Sequence, residues 1–390
     1  MSLAADENIQ GSEGGLPLAG IKVIEIGHSV AAPYAGLVLA ELGAEVIKIE
    51  RPGAGDDARA WGPPFVDGMS AVFHALNRHK QSVTADLKSP EGIALVKRLA
   101  GSADALIQNL KPGLAASVGL GPEQLCKDNP RLIYASIHAF GDKGPLAERP
   151  GYDPLMQAFG GVMSTQGEPG RPSVRVGTSI IDMGTGMWVV MGILTALFKR
   201  GQTGKGCVVD TSLFETALGW MVYFLPMFEM SGRLPSKAGS GTAMISPYQA
   251  FKTADGELVI AAGNDNLYRK MCDVFGAPEW FADPRFANNG LRVENKAPLV
   301  ALIEAKTKTR TSAEWAKLFD AAGVPNAPVQ TIDQVAAHAQ TEALGIIRRS
   351  EEDGRRYFGL PVSFDGVRPT RNEPAPPLGR DDVAVKKNSN

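Results

Sequence analysis

The segment VRVGTSIIDMGTGMWVVMGILTALFKRGQTGKG, residues 174–206, puts a single carboxylate, Asp182, among glycines and small hydroxyl residues. An apolar run follows it directly, and the basic, Gly-rich turn of Lys199, Arg200 and Lys205 follows the run. This pattern predicts a helix that begins at Asp182. Backbone N–H groups at a helix start favour negative charge, so Asp182 is expected to be ionised and available as a nucleophile. The small neighbours Gly177, Ser179, Gly184 and Gly186 are expected to leave room for a bulky reactant. The same pattern also fits a simple N-cap, and the physics of the segment alone leaves both readings open.

The elements that must position this carboxylate can be read from hydrophobic periodicity. Residues 21–26 read as a buried strand, 31–42 as the helix after it, and 46–50 (VIKIE) as a second strand. Apolar β-type runs recur at 105–107 and 132–137, with helical segments such as 90–99 between them. This alternation predicts an α/β fold with a Rossmann-like parallel sheet. The first strand-to-helix turn, Gly27-His28-Ser29-Val30-Ala31, carries no G-x-G-x-x-G, so a nicotinamide dinucleotide is not supported. Residues 212–230 read as one long helix leaving this domain, and 231–242 as a Gly/Ser/Pro-rich loop. Segments 248–253 and 257–262 flank ADG as a hairpin, followed by helices near 266–275, 296–307 and 312–322, which make a smaller α+β domain. After Pro325 the chain is expected to run back through a helix at 332–338 to strands near 346–349 and 357–362. The predicted organisation is a disordered tail over 1–16, a large domain from 17–210 and 330–390, a linker and active-site loop over 211–245, and a small domain over 246–329.

Composition narrows the partners. The chain has 390 residues, 44% of them hydrophobic and 21% charged, as in ordinary globular proteins. A net charge of -2 gives no general reason to expect nucleic acid or an anionic membrane. Cys126, Cys207 and Cys272 are widely spaced and form no C-x-x-C, so no metal site is expected and a reducing cytoplasm is the default compartment. The apolar run 187–198 has 12 residues, too short to span a bilayer.

Eight segments, in order, resemble the class III CoA-transferases, the family of formyl-CoA transferase, carnitine CoA-transferase and α-methylacyl-CoA racemase. They are LAGIKVIEIG, AAPYAGLVLAELGAEVIKIERPGAGD, NRHKQSVTADLKSPEG, ALIQNLKPG, NPRLIYASIHAFGDKGP, RPGYDPLMQAFGG, the Asp182 segment and SPYQAFKTADGELVIAAGND. The likeness runs from about residue 16 to about residue 376. It implies that Asp182 attacks the thioester carbonyl of an acyl-CoA and that the reaction passes through a mixed anhydride and an aspartyl-CoA thioester. Glycine N–H groups near the site would hold the oxyanion. The resemblance further implies an inserted small domain and two subunits interlocked as rings in an obligate homodimer. Coenzyme A is then a substrate, and no tightly bound cofactor is expected.

The same resemblance places residues at the CoA pocket. His28, Ser29, Val30 and Ala31 form the first strand-to-helix turn, where small residues let a phosphate approach backbone N–H groups. Arg51, Lys88 and Lys111 are expected phosphate partners, with Ala85, Asp86, Leu87, Asn109 and Leu110 as neighbours in TADLKSP and NLKPG. Each of these also has a plain structural reading: a tight turn, a strand-end charge, a surface lysine. Two cations found in the family are replaced here by Ser117 and Pro150. Tyr152 stands where the racemase branch has His. A phenol with a pKa of about 10 is a poor proton-transfer group, so Tyr152 favours transfer over racemisation and is assigned a binding role. Gly239, Ser240 and Gly241 are expected in a loop that closes over the site; Thr242-Ala243 replaces the His-Pro of many members. The expected activity is therefore transfer of CoA from an acyl-CoA to a free carboxylic acid. The rivals are an acyl-CoA racemase on the same fold and a CoA-binding protein without activity.

Overall fold

A computed structural model describes residues 15–387, so residues 1–14 of the expected tail lie outside the described residues. The chain divides into two units, the first from residues up to 160, 177–220 and the segment from 340 onward, the second from 161–176 and 221–339. The second unit thus takes in residues 161–176 as well as the whole of 246–329.

In chain order the first unit contains β1 (Lys22–Ile26), α1 (Ala31–Glu41), β2 (Glu45–Glu50), β3 (Gln81–Thr84), α2 (Pro90–Gly101), β4 (Ala105–Gln108), α3 (Pro122–Asp128), β5 (Ile133–His138), α4 (Asp153–Phe159), α5 (Ile180–Thr203), β6 (Val208–Ser212) and α6 (Leu213–Trp220). The six strands form one sheet in the order β3-β2-β1-β4-β5-β6, with every neighbouring pair parallel. This is the doubly wound order, and its topological switch point lies between β1 and β4. Helices hold their places by ordinary means. In α2, Pro90 occupies the first turn, Ser89 caps the N–H of Gly92 at 3.0 Å, and Leu95, Val96 and Leu99 turn inward. They meet Ile24, Ile47, Val83 and Leu106 from the sheet.

The alternation of VIKIE does not mark a half-exposed strand. Lys48 is fully buried and sits in register with Glu25 of β1. A charged side chain survives there because it is paired: Lys48 Nζ lies 2.8 Å from Glu25 and 2.8 Å from Asp56, and donates to Gly27 O at 2.7 Å.

Helix α5 has 24 residues and a mean hydropathy of 1.7 over its most apolar window, enough by length and composition to cross a membrane. Its packing accounts for part of that apolar character. Ile181, Val189, Val190, Ile193 and Ala196 are buried, and Arg200 closes its last turn on Asp104 at 2.7 Å. A Cβ on Gly186 would come within 2.7 Å of Ala31 O, and one on Gly184 within 2.7 Å of the Trp220 ring. These two glycines therefore admit α1 and α6, not a reactant. Of the three glycines expected to leave room, Gly177 alone borders open space on its own Cβ side.

The second unit contains α7 (Phe224–Ser231), the hairpin β7 (Tyr248–Lys252) and β8 (Glu257–Ala261), α8 (Asp265–Val274), α9 (Lys296–Thr307), α10 (Ser312–Ala322) and β9 (Asn326–Pro328). Strand β9 was not foreseen; it pairs antiparallel with β8 on the side away from β7. Phe251, Leu258, Ile260, Met271, Phe275 and Phe319 form this unit's core. The single helix expected over 212–230 is two helices, α6 and α7, with a break at 221–223. Pro226 has no N–H to give Val222 O and its ring crowds that carbonyl, so a continuous helix cannot pass. The chain then returns to the first unit, where Asp381 and Asp382 accept from the backbone N–H groups of Ser82 (2.8 Å) and Thr84 (2.7 Å) in β3.

Candidate active site

A cavity of about 150 Å³ opens at the C-terminal ends of β1, β4 and β5, which is the switch point of the sheet. His28, Ser29, Val30 and Ala31 line it after β1, Asn109, Leu110 and Lys111 after β4, and His138 at the end of β5. Arg149, Tyr152 and Asp182 also line it. Nine residues expected from the sequence thus share one cavity. Its volume suits the reactive end of a ligand rather than a whole cofactor-sized molecule.

Asp182 is not the first residue of its helix. Helix α5 begins at Ile180, and its N-terminal residue Ser179 makes no side-chain cap. The carboxylate that caps α5 is Asp153, 29 residues earlier. Its Oδ2 accepts from the N–H of Ile181 at 2.8 Å and of Asp182 at 3.2 Å, while Oδ1 accepts from Gln157 at 2.6 Å. Among the described residues no hydrogen bond reaches the carboxyl oxygens of Asp182. The expectation of a carboxylate ionised by helix-start N–H groups is therefore corrected. Burial first, and the neighbouring Asp153 second, push the Asp182 carboxyl up to about 7. Helix N–H groups that might have stabilised its charge are already spent on Asp153.

The turn after β1 is clamped from two sides. Asn109 accepts from His28 N–H at 3.0 Å through Oδ1 and donates to His28 O at 2.9 Å through Nδ2. Its side chain positions the turn rather than a ligand. Ser29 has φ 71°, and its N–H donates to Asp56 at 2.9 Å. Burial lowers the His28 imidazole below its ordinary range, with Asp56 and Asp57 opposing, so His28 is neutral near pH 7. Helix α1 then starts at Ala31 with no side-chain cap, and Val30 and Ala31 at that start line the cavity.

Five expected pocket residues lie elsewhere. Arg51 is spent on Asp57 at 2.5 Å and Gly55 O at 3.1 Å. Ala85 is buried at the end of β3 and bonds Glu50 O at 2.9 Å through its N–H. The Asp86 carboxylate accepts from Lys88 N–H at 2.9 Å, Leu87 packs on the sheet core, and Lys88 itself is exposed. The TADLKSP segment is thus a βα turn that caps its own chain. Gly239, Ser240 and Gly241 belong to the second unit. There Gly239 adopts φ 61° and donates to Gly167 O at 3.0 Å, and Ser240 Oγ accepts from Ala250 N–H at 3.1 Å.

Two charged or titratable cavity residues, Arg149 and His138, stand outside the expected set. Arg149, one position before Pro150, has its guanidinium 5.5 Å from the Phe140 ring and, among the described residues, no carboxylate partner. It supplies a cation beside the position where the resemblance had lost one, and its place next to PGYD was legible. His138 faces Asp210 at 3.4 Å across β5 and β6, a pairing that only the sheet register brings together. Among the described residues, no group of three or more His, Cys, Asp or Glu side chains could hold a metal ion.

Known proteins share the sequence pattern and the fold of this chain. Residues 18–382 match the model of CoA-transferase family III. The chain is 38% identical to a succinate–glutarate CoA-transferase of Agrobacterium fabrum, over 95% of this chain and 94% of the relative. It is 37% identical to an acetyl-CoA:oxalate CoA-transferase of Acetobacter aceti, over 95% of each. Its fold is similar to the crystal structure of a CaiB/BaiF family protein from Brucella suis, with a TM-score of 0.88, 39% identity and coverage of 96% of this chain and 100% of that one.

Proposed function

The chain belongs to CoA-transferase family III, and from that premise we propose that it moves CoA from a short acyl-CoA to a short dicarboxylic acid, with Asp182 as the covalent nucleophile. The activity class rests on relatives named as CoA-transferases. The finer reading rests on one observation: a carboxyl without hydrogen-bond partners faces a cavity beside an uncapped helix N-terminus.

The proposed chemistry uses only this chain and its two substrates. Ionised Asp182 attacks the thioester carbonyl; the C–S bond breaks and CoA thiolate leaves, giving a mixed anhydride. The thiolate attacks the aspartyl carbonyl of that anhydride, forming an aspartyl-CoA thioester and releasing the first acid as a carboxylate. The incoming carboxylate attacks this thioester, thiolate leaves again, and its attack on the acyl side of the new anhydride frees Asp182 and the new acyl-CoA. No net proton is consumed. Burial favours this route twice. It makes the ionised carboxylate a stronger base and nucleophile, and it keeps water from the anhydride. The N–H groups at the start of α1 are suited to stabilise the oxyanion.

Two relatives are named for glutarate with succinate and for oxalate, which supports a dicarboxylate acceptor and a succinyl-CoA or acetyl-CoA donor. Arg149, without a carboxylate partner, and Lys111 give the cavity the cations an anionic ligand needs. The family resemblance also supports an interlocked homodimer.

One mass-spectrometric assay tests the reading. The protein is incubated in D2O with succinyl-CoA and a panel of free acids. New acyl-CoA species without α-deuteration, and an aspartyl-CoA adduct lost in Asp182→Asn, are expected. Deuterium at the α-carbon without exchange of acids would make it a racemase; undiminished transfer by Asp182→Asn would remove Asp182 as nucleophile.

A further inference from the structure

The best-organised polar network in the first unit lies beneath the catalytic cavity rather than in it. Lys48 and Lys80 are fully buried, and both pair with Glu25 at 2.8 Å. Lys80 is further fixed by Pro33 O at 2.8 Å and Asn77 at 3.0 Å. Lys48 reaches forward to Asp56 at 2.8 Å. Asp56 is 3% exposed and spends its other oxygen on two backbone N–H groups, those of Ser29 and Ala58, each at 2.9 Å. Glu50 holds the N–H of Asp56 in turn at 3.0 Å.

Ser29 is where this network meets the site. Its φ of 71° is left-handed, a region that costs a side chain but not glycine. A serine persists in such a conformation only where its surroundings over-determine it. Asp56 supplies that constraint from β2's end, and Asn109 fixes the preceding His28 from β4's end. The next residues, Val30 and Ala31, are the uncapped start of α1 and line the cavity with Asp182.

We propose that Asp56 is a positioning residue for CoA: it holds Ser29 in the left-handed turn, and so aims the N–H groups at the start of α1 into the cavity. This deepens the CoA-transferase reading and rests on it for the identity of the ligand. Asp56 touches no ligand; it acts through Ser29. Lys48 keeps Asp56 ionised and fixed, because burial alone would raise its pKa and the Lys48 charge, with the N–H bonds of Ser29 and Ala58, brings it below the ordinary carboxylate range.

The test measures the dissociation constant of free CoA by calorimetry, with melting temperature alongside, for full-length wild type, Asp56→Asn, Asp56→Ala, Ser29→Gly and Ser29→Ala, and for Ser29→Gly and Ser29→Ala each combined with Asp56→Ala. Asp56→Ala is expected to weaken CoA binding by roughly tenfold. Asp56→Asn, which keeps an acceptor oxygen for Ser29 N–H, is expected to lose less. In the Asp56→Ala background, Ser29→Gly is expected to recover most of the affinity and Ser29→Ala none. Both remove the hydroxyl, so only the freedom of glycine at positive φ separates them. A folded Asp56→Ala chain that binds CoA within about twofold of wild type, or equal recovery by Ala and Gly, overturns the proposal. Hydrogen exchange of the wild-type Ser29 amide judges it where no Asp56 variant folds: slow exchange is expected, and fast exchange overturns it. A wild-type protein with a protected Ser29 amide but no CoA transfer would instead count against the functional reading.

Discussion

Asp182 meets two opposing influences, and the magnitudes decide between them. A helix start offers a carboxylate roughly 0.3–1 kcal/mol, while burial and Asp153 hold the proton on up to about pH 7. The nucleophile must be ionised, so kcat/KM for the acyl-CoA is expected to rise about tenfold per pH unit below 7 and to level above it. A profile flat from pH 5 to 8 would contradict a titrating nucleophile. Stability should run the other way. Between the unfolded carboxyl's pKa near 4 and the folded value about 7, the native state holds the extra proton, so stability falls as pH rises through that window. A shift of about three units is worth up to about 4 kcal/mol, and Asp182→Asn is expected to raise the melting temperature at pH 8 but not at pH 4. Asp153→Asn removes the second cause of the shift. It should move the kcat/KM midpoint to lower pH by up to about one unit, at a cost of about 1 kcal/mol in the cap of α5; a midpoint that moved upward would sink this pairing. Asp182 itself was legible because its neighbours are small and its place follows a long motif series. Its protonation was not, since Asp153 stands in another motif and the burial arises only when α4 and α5 meet.

At the scale of elements, α5 carries the proposed nucleophile and its glycines decide how closely other helices approach. Gly186→Ala would put a methyl 2.7 Å from Ala31 O and 3.2 Å from Ala35 N, both backbone atoms of α1 that cannot yield cheaply. A loss of about 1–3 kcal/mol in unfolding free energy and a weaker CoA affinity are expected together, because α1 must shift at the end that lines the cavity. Gly201→Ala, on the same helix, meets open space and should stabilise by about 0.5–1 kcal/mol with activity unchanged. Chemical denaturation of both variants checks the pair; equal effects would mean that the glycines matter only for helix propensity. The strands and helices of the sheet unit were legible because each buries apolar residues at its own period. VIKIE was legible as a strand; that its charged face is dry and paired was not, since a period-2 pattern normally marks a wet face. The break at 221–223 was readable from Pro226. Strand β9 was not, because NAP has little β propensity and earns its place only by the edge β8 offers.

At the scale of the whole molecule, the outward faces of single elements carry a demand of their own. On α5, Met187, Trp188, Met191 and Phe198 are exposed, the last at 74%, and Trp220 on α6 is exposed beside them. Apolar surface of this extent on neighbouring turns of one helix marks a face that is covered in a working protein. The proposed occupant is a second copy of the chain. Interlocking makes a sharper prediction than dimerisation alone. Two closed rings cannot part without unfolding, so subunit exchange must be as slow as global unfolding, whereas a surface-apposed dimer exchanges at its dissociation rate. Tagged and untagged pools, mixed under native conditions and analysed by native mass spectrometry, should remain unmixed over hours. They should form mixed dimers only after denaturation and refolding together. Exchange within minutes at native pH would leave the dimer but abolish the interlock, and the linkers at the boundary between the two units would then need no threading role.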